Sequence, residues 1–345
     1  MAKTQNRNRP PSMKDVAKQA GVSQTTVSFV INQVENANIP VETQERIFAA
    51  IDKLGYRPNA MARQLRSNRT QTFGFISDVV ATTPFAGRII QGAQDAAWAQ
   101  GYLLLVVNTS GDEAVTEAAV ETLLERRVDG ILYATMYHRA VTPPAAVHET
   151  PTVLLDCFVE DRSLPSVVPD EIRGGYDATA ALLRKGHTRI GLINNLDVVP
   201  AMSDRQEGYR QALAAAGIAY DEQLVSYYPS EPLGGYTGAE QLLQLAQPPT
   251  ALFCFNDRMA LGVYRYAQQH GLRIPGDLAV IGFDNQDMIA PYLEPPLTTM
   301  ELPHYGMGQW AVAHLLQLIE QTGGQNNYPP VQQLCECPLI ERSSI

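Results

Sequence analysis

Six polar side chains stand at or just past the ends of short apolar runs, and their types define one kind of chemistry. Asp78 follows the run 73–76 and Asp156 the run 153–155. Arg205 lies past the run 190–193, Asn256 and Asp257 end the string ALFCFND, and Asp284 ends AVIGFDN. Phe85 adds an aromatic ring shortly after the first run. Carboxylates, an amide and one arginine around an aromatic supply the donors and acceptors that fork onto vicinal hydroxyls, and a face on which a sugar ring can stack. Each also has a plainer reading. Asp257 is equally placed to cap the helix that follows, and Asp78 and Asp156 to serve as turn residues.

Catalytic chemistry finds no such set. Gly306-Met-Gly308-Gln-Trp-Ala311 matches G-x-G-x-x-A, but no strand–helix–strand unit with an acidic residue follows it, and helix packing explains those glycines better than a dinucleotide does. The six histidines and four cysteines show no metal-ligand spacing, and there is no P-loop or GxSxG elbow. We therefore expect a non-enzyme with no cofactor and no metal, its cysteines free thiols in a reducing compartment. No apolar run approaches the roughly 20 residues that cross a bilayer, and residues 1–10 are polar and basic. A cytoplasmic protein is expected, with no membrane partner.

The elements that must hold the six residues read as a repeated α/β design. Strands are expected at 73–76, 103–107, 130–133 and 153–155, with helices near 85–100 and 113–127. A second series follows, with strands at 190–193, 224–226, 251–255 and 279–282 and helices near 172–185, 204–216, 235–245 and 258–270. Two such series imply two lobes, each a parallel doubly wound sheet covered on both faces. In such sheets ligands bind outside the carboxyl ends of the strands, which for facing lobes is the cleft between them.

The first 70 residues are different in kind. They carry 11 Lys+Arg against 5 Asp+Glu, while the rest of the chain carries 15 against 31. A basic head on an acidic body suits a polyanion bound by the head alone, although charge by itself also fits a solvated tail. Residues 13–20 have helical spacing, Gly21 permits a tight turn, and Ser23 can cap a second helix over 24–32. That is a helix-turn-helix. Val27, Val30 and Ile31 should face inward, leaving Gln24, Thr25, Ser28 and Phe29 for base edges. Gln can pair bidentately with adenine, and Thr can hydrogen-bond or place its methyl against a thymine methyl. Phe29 reads equally as a thymine-methyl contact or as a ring tucked against the head. A third helix, 41–54, should bury Ile47, Phe48, Ile51 and Leu54. Residues 59–66 form a short potential helix with no core to pack on.

KDVAKQAGVSQTTVSFVIN and GYRPNAMARQL resemble the headpiece and hinge helix of the LacI family of transcription regulators, and the likeness runs through nearly the whole chain. The resemblance implies a headpiece over 1–57 and a hinge over 58–70. It also implies an effector domain over 71–345, similar to periplasmic sugar-binding proteins, with an N-lobe of about 71–168 and 298–326 and a C-lobe of about 169–297 and 327–345. Crossings between lobes would fall near Val168, Leu297 and Asn326. The DNA-contacting set becomes Ser23, Gln24, Thr25, Thr26, Ser28, Phe29 and Asn32, with Asn59, Ala62 and Leu65 from the hinge. By the resemblance the hinge folds on specific DNA and wedges Leu65 into the minor groove, and two subunits bind a near-palindromic operator. Phe29 stands where several relatives carry arginine, so no guanine-reading contact is expected there. Phe85, Asp156, Arg205, Asn256 and Asp284 match the family's ligand positions, with Asp78 in a variable loop and Tyr137 and Tyr228 as further aromatic candidates. The expected function is a repressor of carbohydrate-metabolism genes controlled by a small sugar. A purine or nucleoside effector is the alternative, and a sugar-binding receptor is the rival class. Residues beyond 325 offer no leucine heptad, so a homodimer is the default.

Overall fold

A computed structural model describes residues 9, 11–31, 34, 37–56, 69–80, 83, 87–321 and 329–345. The chain divides into two compact units, 1–70 and 71–345.

The first unit holds α1 (Met13–Ala20), α2 (Gln24–Ile31) and α3 (Val41–Leu54). Ser12 starts α1 by donating its backbone N–H and its hydroxyl to Asp15 at 2.9 and 2.6 Å, and Gly21 ends it at φ +69°. Ser23 Oγ accepts the Thr26 N–H at 3.0 Å, so the serine caps α2. Val16, Ala20, Val27, Val30, Ile47 and Ala50 form the small core. Two assignments of face are corrected. Ser28 is buried beside Val27, and Phe48 is 48% exposed while Ala50 takes the inward place. Each lies about 100° around its helix from a core residue, and packing of the third helix, not polarity, decides which flank is covered.

The second unit contains two six-stranded sheets. The first runs β2 (Leu103–Asn108), β1 (Thr72–Ser77), β3 (Gly130–Ala140), β4 (Thr152–Phe158), β5 (Ser166–Pro169) and β11 (Gln332–Cys335), all parallel. The second runs β7 (Val225–Tyr228), β6 (Ile190–Asn195), β8 (Ala251–Cys254), β9 (Ala279–Asp284), β10 (Thr298–Glu301) and β12 (Leu339–Ile340), with only β12 antiparallel. In the first lobe α4 (Gly87–Ala99) and α10 (His304–Gln321) pack on one face, and α5 (Glu113–Glu125) packs on the other. In the second, α6 (Glu171–Arg184) and α7 (Pro200–Ala215) cover one face and α8 (Pro232–Leu243) and α9 (Asp257–Gln269) the other. Central strands are apolar on both faces because helices cover both. The edge strand β2 instead leaves Leu103, Leu105 and Val106 exposed.

The crossings differ from expectation. Residues 298–301 pair with β9 and 332–335 with β5. The second crossing therefore lies past Glu301 instead of near Leu297, and the third past Cys335 instead of near Asn326. Hydrogen-bond pairing to distant strands, invisible in local sequence, sets these points. Helix α7 also starts at Pro200, four residues before the expected 204, because proline is well placed in a first helical turn.

Candidate functional site

Helices α6 and α7 touch backbone to backbone. A Cβ on Gly208 would fall 2.1 Å from the Ile172 carbonyl oxygen, and one on Gly175 would fall 2.3 Å from that of Arg205. This approach sets Glu171, at the start of α6, against Arg205 in α7. The Arg205 guanidinium donates from Nε and Nη2 to the two oxygens of Glu171 at 2.7 and 3.1 Å, and from Nη1 to the Phe255 carbonyl oxygen. Its Cζ lies 3.7 Å from the Phe283 ring centre and 4.5 Å from that of Phe255. Nη1 reaches within 3.9 Å of Asp284.

Asp284, the last residue of β9, and Asp156, two residues before the end of β4, flank this group, each with a left-handed backbone, φ +107° and +55°. Non-glycine residues in that region are strained, and such strain gathers at functional sites. Asp284 accepts the Gln286 amide at 2.8 Å, and burial pushes its carboxyl up to about 6 against the opposing pull of Arg205. Asp156 is 4% exposed, and its Oδ1 has no hydrogen-bond partner among the described residues. Burial, then the nearby charge of Glu171, holds its carboxyl well above the usual range.

The remaining candidates divide. Asn256 caps α9: it accepts the Met259 N–H at 2.9 Å and donates to the Ser230 carbonyl oxygen at 3.3 Å. Its neighbour Asp257, a cap candidate by sequence, instead accepts the Thr299 hydroxyl at 2.6 Å and the Gln286 N–H at 2.7 Å. Asp78 pairs with Arg139 at 2.9 Å, beside a hollow of about 610 Å³ lined by Thr109, Tyr133 and Thr135. Tyr228 donates to Gln241, Tyr137 is exposed, and Phe85 lies outside the described residues. A second hollow of about 370 Å³ reaches Asp284 and is lined by Arg88, Arg258, Gln286, Leu302 and His304.

Sequence reasoning missed Glu171, Arg139, Arg88 and Arg258. Glu171 had one signal: read as a strand, 166–169 would have placed Asp170 and Glu171 at a strand end like the other candidates. Of the G-x-G-x-x-A glycines, Gly308 does serve packing, since its Cβ would fall 2.2 Å from the Ile89 carbonyl oxygen. Gly306 has nothing within 4 Å and serves none. No metal-holding group of His, Cys, Asp or Glu occurs among the described residues, and no described helix is long and apolar enough to cross a membrane.

In the headpiece Ser23, Gln24 and Thr25 are exposed at the start of α2, Thr26 and Phe29 are half-buried, and Ser28 is buried. Asn32, Asn59, Ala62 and Leu65 lie outside the described residues.

Residues 12–59 match the model of bacterial regulatory proteins of the lacI family, and residues 179–345 match a periplasmic binding protein-like domain. The chain is 37% identical to the HTH-type transcriptional repressor PurR of Vibrio atlanticus, over 97% of this chain and 98% of that protein. It belongs to the LacI family. The ribose operon repressor of Escherichia coli is 38% identical, covering 96% of this chain and 99% of the relative. Among solved LacI-family structures, the regulator CelR in complex with cellobiose superposes with TM-score 0.67 at 32% identity, over 97% of this chain and 99% of that one. The lac repressor dimer bound to operator and the anti-inducer ONPF superposes with TM-score 0.78 at 27% identity, with the same coverages. The chain is thus a DNA-binding transcriptional repressor of the LacI family and not an enzyme.

Proposed function

We propose that this repressor is controlled by a small saccharide held between the two lobes, and that it binds a near-palindromic operator as a homodimer. The observation that carries the saccharide reading is the placement of Asp156 and Asp284, from the sheets of opposite lobes, near Arg205. Buried acceptors on both sides of a cleft suit a ligand rich in hydroxyl donors. The ribose operon repressor and the cellobiose complex among the relatives support the same class. Ligand bound to both lobes favours the closed arrangement, and the DNA-competent population shifts with it. A purine or nucleoside is the second reading, favoured by the full-length similarity to repressors named PurR.

Ser23, Gln24, Thr25 and Thr26, at the start of α2, are the proposed base and phosphate contacts, with Asn59, Ala62 and Leu65 as hinge contacts. The homodimer reading is supported by the exposed apolar edge strand β2 together with exposed Val115 on α5. Such an edge, left bare, is a pairing hazard, and a twofold copy covers it. The test is a thermal-shift screen against mono- and disaccharides, purines and nucleosides, followed by operator binding with the best hit. A ligand at 100 times its Kd stabilises by about 2.7 kcal/mol. A saccharide hit that alters operator affinity is expected, and a purine hit alone overturns the saccharide reading.

A further inference from the structure

Arg139, Arg88 and Arg205 each have a carboxylate within 4 Å. Arg139 holds Asp78 at 2.9 Å, and Arg88 lies 3.6 and 3.8 Å from Asp287 and Glu301. Arg258 is near enough to Asp284 for its charge to act on that carboxyl. Arg205 is the most committed. Both oxygens of Glu171 and one backbone carbonyl take its donors, two rings flank its plane, and its side chain is 4% exposed. Asp156 is the carboxylate left over, with an unpartnered buried oxygen.

An anionic ligand seated on Arg205 would have to draw it away from Glu171, leaving a buried carboxylate uncompensated, and would approach Asp284 as a like charge. An uncharged ligand meets neither obstacle, and its hydroxyl or N–H can donate to the open oxygen of Asp156. We propose that Glu171 is a specificity-determining residue that neutralises Arg205 and so restricts the cleft to uncharged effectors, excluding sugar phosphates, sugar acids and nucleotides. This rests on the cleft being the effector site, and it holds for a sugar or a purine alike.

The decisive experiment follows thermal unfolding of the full chain and of Glu171→Gln in inorganic phosphate against chloride at equal ionic strength. The glutamine keeps the shape and removes the charge. The variant should be raised by phosphate well beyond any general salt effect on the wild type, and equal responses would overturn the proposal. Matched pairs then separate this claim from the saccharide reading: ribose against ribose 5-phosphate, and inosine against its monophosphate. Wild type should prefer the neutral member by about tenfold or more, with the gap narrowed in Glu171→Gln. Inosine winning over ribose sinks the saccharide reading and leaves the charge rule standing. A phosphorylated member binding wild type as well as its neutral partner sinks the charge rule. Should Glu171→Gln fail to fold, Glu171→Asp, whose shorter reach loosens its hold on Arg205, is expected to narrow the gap in the same direction, and an unchanged gap there counts against the proposal.

Discussion

The carboxylate of Asp257 receives the hydroxyl of Thr299 at 2.6 Å, joining the first turn of α9 to β10, the strand from which the chain leaves the second lobe. The same carboxylate takes the Gln286 N–H, and a Cβ on Gly282 would lie 2.2 Å from its Oδ1. Asp257→Ala orphans the buried Gln286 N–H, at about 1–3 kcal/mol, and leaves the Thr299 hydroxyl only the Met300 carbonyl oxygen at 3.3 Å. Urea unfolding should show that loss, with a smaller one for Thr299→Ala. Indistinguishable stabilities would show that the anchor is dispensable.

Removing one partner of the buried Arg205–Glu171 pair should cost far more than removing both. Arg205→Ala leaves Glu171 charged and unpaired, at about 3–5 kcal/mol. Arg205→Met combined with Glu171→Leu should return much of that stability while losing the effector response. Chemical denaturation beside a ligand-dependent operator assay separates the two effects.

Asp284 gives a signed dependence on pH. Its folded carboxyl titrates at about 6 against an ordinary 3.8, so the native state holds the proton more tightly than the unfolded chain. That contribution is complete below pH 3.8 and is lost as pH rises through 6. Asp284→Asn should therefore melt close to the wild type near pH 4 and above it at pH 8. At about 1.36 kcal/mol per pKa unit the gain is about 3 kcal/mol at most. A variant less stable than wild type at pH 8 contradicts this account.

The two glycines of the G-x-G-x-x-A string should respond in opposite senses. Gly306→Ala meets no atom and improves helix propensity, for a gain of about 0.5–1 kcal/mol. Gly308→Ala collides with the backbone of α4 and should lower the melting temperature markedly. Calorimetry on both single variants decides the matter.

On DNA, Gln24→Ala should weaken specific operator binding by about 1–3 kcal/mol while leaving non-specific DNA binding unchanged. Ser28→Ala, being a change inside the headpiece, should act through stability and touch both kinds of binding alike. Titrations against a selected operator and against random DNA separate the two patterns.

The sequence showed the helix-turn-helix, both α/β series and three converging residues, Asp156, Arg205 and Asp284, because periodicity and strand ends are local signals. The short strands β5, β10, β11 and β12 were not legible. Two to four residues such as QQLC or LI carry no period, and they become strands only through partners that are distant in the chain. Glu171 was hidden for the same reason, since its role depends on where β5 ends. Ser28 and Phe48 sat at the borders of helical faces, where the packing of a neighbouring helix settles what composition leaves open.

The threefold crossing between sheets also bears on how such proteins diversify. The headpiece is separated from the body at one point, between Thr70 and Gln71. A single recombination there exchanges the DNA-binding headpiece and keeps the two-lobed body whole. Exchanging one lobe instead needs breakpoints near 170, 302 and 337 together, because β5, β10 and β11 tie each sheet to remote sequence. New operators are thus open to gene shuffling, whereas the body between its two sheets must change in place, one side chain at a time.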